Sequence, residues 1–232
     1  MQIEDRVIHF SAELIHHPLP IERQQLQKLY YDLSQTRAAY DSIDISVPTQ
    51  AKFHSQRDKA QSIMLHLPER ILMIEEWADI PLSTFAEKLH TAVPLVLQTQ
   101  NIAQILLHAL TVRSTFALTH FDEARIFLLD HACHLAGRIN PHFQRPLATG
   151  GLRFVFPETN EHRGTLHVNI ESFRHSANEI FVEVKGIFGR QPVDADHVGV
   201  ITDNLRATRS FITENVFPFL QQFDANPEQE SP

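Results

Sequence analysis

Residues 104–118 read Gln104-Ile-Leu-Leu-His108-Ala-Leu-Thr-Val-Arg113-Ser-Thr-Phe-Ala-Leu118. In an extended chain Leu106, His108, Leu110, Val112, Ser114, Phe116 and Leu118 share one side, and Thr111, Arg113 and Thr115 share the other. This is a long, half-buried strand. It opens a second passage through an order of elements already used once. The first passage begins at Val7–Leu14, where Ile8, Phe10, Ala12 and Leu14 alternate with His9, Ser11 and Glu13. A helix follows on the stripe Leu26, Leu29, Tyr30 and Leu33. Then come three strand-like runs, Ile43–Phe53 (which Pro48 makes an edge strand or interrupts), Ser62–Leu67 and Ile71–Trp77. A helix from about Pro81 carries Leu82, Phe85, Ala86, Leu89 and Val93, with Asp79 as expected N-cap and Pro94 expected to end or kink it.

After residues 104–118 the order recurs. A helix is expected over Phe121–Ala136, with Asp122 and Glu123 in its first turn and Gly137 just past its end. Arg138–Gly150 reads as a loop. Leu152–Phe156, Thr165–Phe173 and Glu179–Phe188 read as strands, with a turn at Asn160–Gly164. A terminal helix runs on Val198, Ile201, Leu205, Ile212, Val216, Phe219 and Phe223, with Pro218 near its end. The expected fold is therefore α+β: two similar β-α-β-β-β-α halves, residues 1–99 and 100–223, forming a mainly antiparallel sheet with helices packed on one face. Residues 224–232 are expected to be a disordered tail.

The element order, the strand Thr111–Phe116, the run Leu166–Phe173 and the amphipathic C-terminal helix resemble a sporadically distributed bacterial protein family of similar length. The resemblance implies this architecture and brings no activity or catalytic residue with it. The first strand departs from that family, lacking its proline and acidic start.

Composition excludes several chemistries. Of 232 residues only 7 are glycine, and none precedes Gly137. A phosphate-cradling loop needs glycines for close approach of backbone N–H groups, and neither GxGxxG nor GxxxxGK[ST] occurs. GxSxG and HExxH are also missing. A formal charge of −8 without a Lys/Arg run argues against nucleic acid. The single cysteine, Cys133, allows no internal disulfide and fits a reducing, cytoplasmic setting. Met1–Arg6 lacks a signal-peptide pattern, and Gln104, His108 and Arg113 interrupt the most apolar stretch, so no membrane association is expected.

The 15 histidines are spread over the chain and yield only one compact cluster, Asp130–His134. On a continuous α-helix His131 and His134 are i, i+3 neighbours, and Asp130 and His134 are i, i+4 neighbours. Together they make a candidate site for a divalent metal; no other cofactor is expected. The competing reading is a solvated polar face with histidine complementing the helix dipole. Cys133 beside two histidines suggests an activated thiolate, although consecutive helical residues diverge. Glu87 and His90 have the ExxH spacing of di-iron bundles in a chain too rich in strands for one. His108, in phase with leucines, is either a satisfied buried imidazole or a pocket residue, with Arg113 as a possible ligand cation.

Three functional readings follow. The first is a non-enzymatic binding or assembly module, forming a homodimer or docking a protein partner. The second is a histidine/carboxylate hydrolase, and the third a small-molecule binder using His108 and Arg113. Collectively the histidines act as a charge buffer. At an ordinary pKa of about 6.5 their protonation cancels the acidic excess near pH 6 to 6.5, where a solubility minimum is expected.

Overall fold

The strand alternation survives in three dimensions as one sheet. A computed structural model describes residues 5–77, 79–135, 138–145 and 147–224. Its strands are β1 (Asp5–Ile15), β2 (Ser42–Asp44), β3 (Ala51–Arg57), β4 (Ala60–Leu67), β5 (Arg70–Glu76), β6 (Leu107–Ala117), β7 (Gly151–Phe156), β8 (Thr165–Ser172) and β9 (Glu179–Phe188). They form a nine-stranded sheet in the order β2-β3-β4-β5-β1-β6-β9-β8-β7. Every neighbouring pair is antiparallel. Helices α1 (Arg23–Ser34), α2 (Leu82–Thr99), α3 (Ala124–Ile126), α4 (Asn140–Phe143), α5 (Gly199–Phe211) and α6 (Phe217–Gln221) complete an α+β architecture.

One face of the sheet carries the core. Phe10, Ala12, Leu14, Ile71, Met73, Leu110, Val112, Val168, Val182 and Val184 are buried together with Leu29, Phe85, Leu89, Ile201 and Leu205 of the helices. Contacts between helix and sheet fall on this set: Phe10 stacks on Phe85, Tyr30 tilts against Phe53, and Phe116 meets Phe217. The alternate residues, among them Glu13, Leu72, Arg113, Glu183 and Lys185, face away and are half-buried.

Pro48 interrupts Ile43–Phe53 as expected, dividing it into β2, at the sheet edge, and β3. Other local expectations are corrected. Helix α2 passes through Pro94 to Thr99, and its N-cap is Pro81, not Asp79. Beyond Pro94, Val96 and Leu97 are buried at 1% and 2% exposure. At about 1.5–3 kcal/mol for each buried aliphatic, they offset the roughly 3 kcal/mol that an internal proline costs.

The expected helix over Phe121–Ala136 shrinks. Ala124 N–H is held by the carbonyl of Ala177 at 2.7 Å, which leaves Glu123 extended, so α3 starts late and passes into a π turn at Phe127–Ala132. Gly137 lies outside the described residues, and α4 occupies part of the expected loop. The expected terminal helix runs without a gap from Gly199 to Gln221, passing through a second π turn, Ile212–Val216, just before Pro218. Asp224 is no tail residue. Its side chain is 2% exposed, and its carboxylate accepts the N–H groups of Thr119 and His120 at 2.8 and 3.0 Å. The rest of the expected tail, residues 225–232, lies outside the described residues.

Candidate functional site

The outward face of the sheet is ordered by register. Along one row Gln61 (β4) pairs with Glu76 (β5), Glu76 with His9 (β1), His9 with Arg113 (β6), Arg113 with Glu183 (β9), and Glu183 with Asn169 (β8). Arg113 donates to Glu183 at 2.6 Å. Two rows away Glu13 accepts from Arg70 at 2.9 Å and lies 3.5 Å from Lys185. His9 sits at the centre, where the β1 register slips between Val7 and His9. Burial, reinforced by the Arg113 cation, holds its pKa down to about 4, so its 4.0 Å approach to Glu76 is that of a neutral imidazole. The β4–β5 half of this face presents half-buried Ile63, Leu65, Leu72 and Ile74. At the other end Trp77, 40% exposed and with φ of 51°, meets His175 edge-on at 6.0 Å. His175 in turn meets Phe173 at 5.2 Å.

Beneath α2 lies a buried polar group. Lys88 is 2.6 Å from Glu75, and the two side chains are 12% and 8% exposed. Ser62 donates to the same carboxylate at 2.7 Å and also contacts the Lys88 ammonium. The Tyr40 ring lies 4.1 Å from that ammonium. Burial, with the Glu75 charge beside it, pushes the Tyr40 phenol well above its ordinary pKa. The Lys88–Glu75–Ser62 cluster ties helix to sheet. Its sequence signal was legible, since Glu75 is in phase with Ile71 and Met73, and Ser62 with Met64. Lys88 lies between inward Phe85 and Leu89.

Two further imidazoles are buried nearby. His16 and His66 are each 2% exposed, with ring centroids 6.2 Å apart. Neither nitrogen of His66 has a hydrogen bond, and burial, together with His16, lowers its pKa to about 4.

On the helix side, His108 lines a cleft of about 280 Å³ between the end of β9 and the start of α5. The ring is 2% exposed and stacks on Phe188 at 5.4 Å and 20°. The Asn204 amide donates to its Nε2 at 2.9 Å, and burial lowers its pKa to about 4. Gly164, at φ of 75°, presses on Phe188: a Cβ there would stand 2.4 Å from the ring and 2.9 Å from the Ile187 carbonyl. We expect Gly164→Ala to lower the unfolding free energy by about 1–3 kcal/mol, read from the urea midpoint at unchanged slope. A loss below about 0.5 kcal/mol would mean that the Phe188 ring moves freely.

The residues singled out in the sequence are thus distributed over different places. His108 is in a cleft, but Arg113 is on the opposite face and paired with Glu183; the cations at the cleft are Arg163 and Arg190. Asp130 and His131 fall in the π turn, and His134 lies beyond its end with φ of 52°. The helical neighbourhood expected of the three therefore does not form. Among the described residues no group of three or more His, Cys, Asp or Glu is placed to hold a metal. Burial raises the Cys133 thiol pKa, opposite to what an activated thiolate needs. Glu87 and His90 are exposed on α2. No described helix is long and apolar enough to cross a membrane. No protein-family model and no curated protein sequence matches this chain.

Proposed function

We propose that the chain is a non-enzymatic binding and assembly module, and that the outward sheet face is its association surface, taking a second copy of the chain. The single observation carrying this is that the core-forming helices pack on one face of the nine-stranded sheet, while the other presents half-buried Ile63, Leu65, Leu72 and Ile74. Nine strands at about 4.8 Å span roughly 40 Å. With about 20–25 Å along the strands, the face approaches the ~800 Å² that one partner contributes to a standard interface. Its charges are largely neutralised in place, Glu13 by Arg70 and Lys185, and Glu183 by Arg113. Half-buried Ile63, Leu65, Leu72 and Ile74 lie beside them. Such a face suits another low-charge protein surface better than a charged polymer.

The reading includes a duplicated origin for the two halves, which the strand order supports. β1 and β6 are each 11 residues long and pair through their middle residues, Phe10 and Val112. Outward from that seam lie β5-β4-β3 on one side and β9-β8-β7 on the other. The resemblance to the sporadically distributed bacterial family belongs to the same reading, as does a cytoplasmic setting, supported by the single cysteine.

Sedimentation equilibrium tests the association. A dimer is expected at micromolar concentration, and Ile74→Lys should weaken it by more than about tenfold. A wild-type monomer under those conditions, or a dimer indifferent to Ile74→Lys, would overturn the assignment.

A further inference from the structure

The cleft at His108 lies on the helix side, away from the association face, and has the features of a ligand site. Glycine is scarce, 7 in 232 residues, yet it gathers here. Gly164 and Gly189 line the cleft, and Gly186 lies under Phe188, where a Cβ would meet the ring at 2.7 Å. Gly199 begins α5, immediately before the lining residue Val200. The glycines allow the Phe188 ring to lie against strand backbone and stack on His108. Because the Asn204 amide nitrogen can only donate, Nε2 of His108 accepts. The cleft thus has an aromatic wall in the stacked Phe188 and His108 rings, with the imidazole held in place by Asn204.

Its rim is cationic. Arg190 lies 3.7 Å from Glu158, whereas Arg163 has no ion pair among the described residues. An occupant must supply negative charge for the arginines and apolar surface for Phe188 and Val200. From these contacts we propose that the cleft binds a small organic carboxylate, its anionic head at Arg163 and Arg190 and its apolar body along Phe188. About 280 Å³ suits a molecule below the usual drug-sized range.

Benzoate is the probe, with benzyl alcohol as its uncharged counterpart. Titration is followed by the His108 ring resonances in histidine-labelled protein and by calorimetry. We expect saturable shifts at His108 with benzoate at or below about 10 mM, and at least about tenfold weaker binding of benzyl alcohol. The exposed substitution Arg163→Glu should weaken benzoate by at least about tenfold without altering the fold. Ile74→Lys, on the other face, should leave it unchanged, so that failure here and failure of the association surface are separable. No saturable shift with benzoate, equal binding of benzyl alcohol, or full affinity in Arg163→Glu each overturns the proposal.

Discussion

Lys88→Met is expected to lower the unfolding free energy by about 3–5 kcal/mol, because it strands the Glu75 carboxylate in a nearly dry site. The side chain of Glu75 is 8% exposed, and its remaining partner is the Ser62 hydroxyl. The triple variant Ser62→Val, Glu75→Val, Lys88→Met should return to within about 1–2 kcal/mol of wild type, since replacing a buried ionic group by packed apolar side chains is often neutral or stabilising. The register supplies the reason to expect this. On the helix face one row runs Ser62, Glu75, Phe10, Val112, Val184, Val168. On the far side of the Phe10–Val112 pair, Val184 and Val168 stand where Glu75 and Ser62 stand on the near side. Equilibrium urea denaturation of the single and triple variants decides it. A Lys88→Met loss below about 1 kcal/mol, the range of exposed pairs, would mean that Glu75 is solvated.

Stability should fall steeply as the pH drops from about 6.5 to about 4. His9, His66 and His108 are 7%, 2% and 2% exposed, and burial holds each near a pKa of about 4. In the unfolded chain they titrate near 6.5. Above that pH they are neutral in both states and contribute no pH dependence. Below it the unfolded state takes up protons that the native state refuses until about pH 4, so acid favours unfolding. At pH 5 each group costs about 2 kcal/mol, and the three together roughly 6 kcal/mol, comparable to the whole stability of an ordinary domain. His197 has the opposite sign, raised by its hydrogen bond to Asp194, but it is exposed. Urea midpoints between pH 7.5 and 5 provide the test. His66→Leu should remove about a third of the slope, and a midpoint independent of pH over that range would exclude neutral burial of the three rings.

The same burial revises the charge buffer. His9, His16, His66 and His108 have lowered pKa values, so these four contribute less to offsetting the formal −8. Charge cancellation, and with it the expected solubility minimum, moves to lower pH.

Much of the fold was legible because local periodicity reports which way each side chain faces. A repeat of two placed β1, β6, β8 and β9 within a few residues, and a repeat near 3.6 placed α1, α2 and α5. It also set His108 and Arg113 on opposite faces, so the structure separates them as alternation requires. Errors arose where long-range contacts override local preference. Packing of Val96 and Leu97 carries α2 past Pro94, and a hydrogen bond to Ala177 delays α3 and removes the neighbourhood of Asp130, His131 and His134.

The candidate sites depended on those long-range contacts too. Asn204 reaches His108 across 96 residues, and Arg113 reaches Glu183 across 70. Chain periodicity determined the α+β class, the order of elements and the phase of each side chain. Tertiary structure alone decided which strands are neighbours, which face of the sheet the core-forming helices pack on, and which buried polar groups meet. Phase is set by neighbouring backbone dihedrals, whereas pairing is set by the free energy of bringing distant segments together, and no local pattern encodes it.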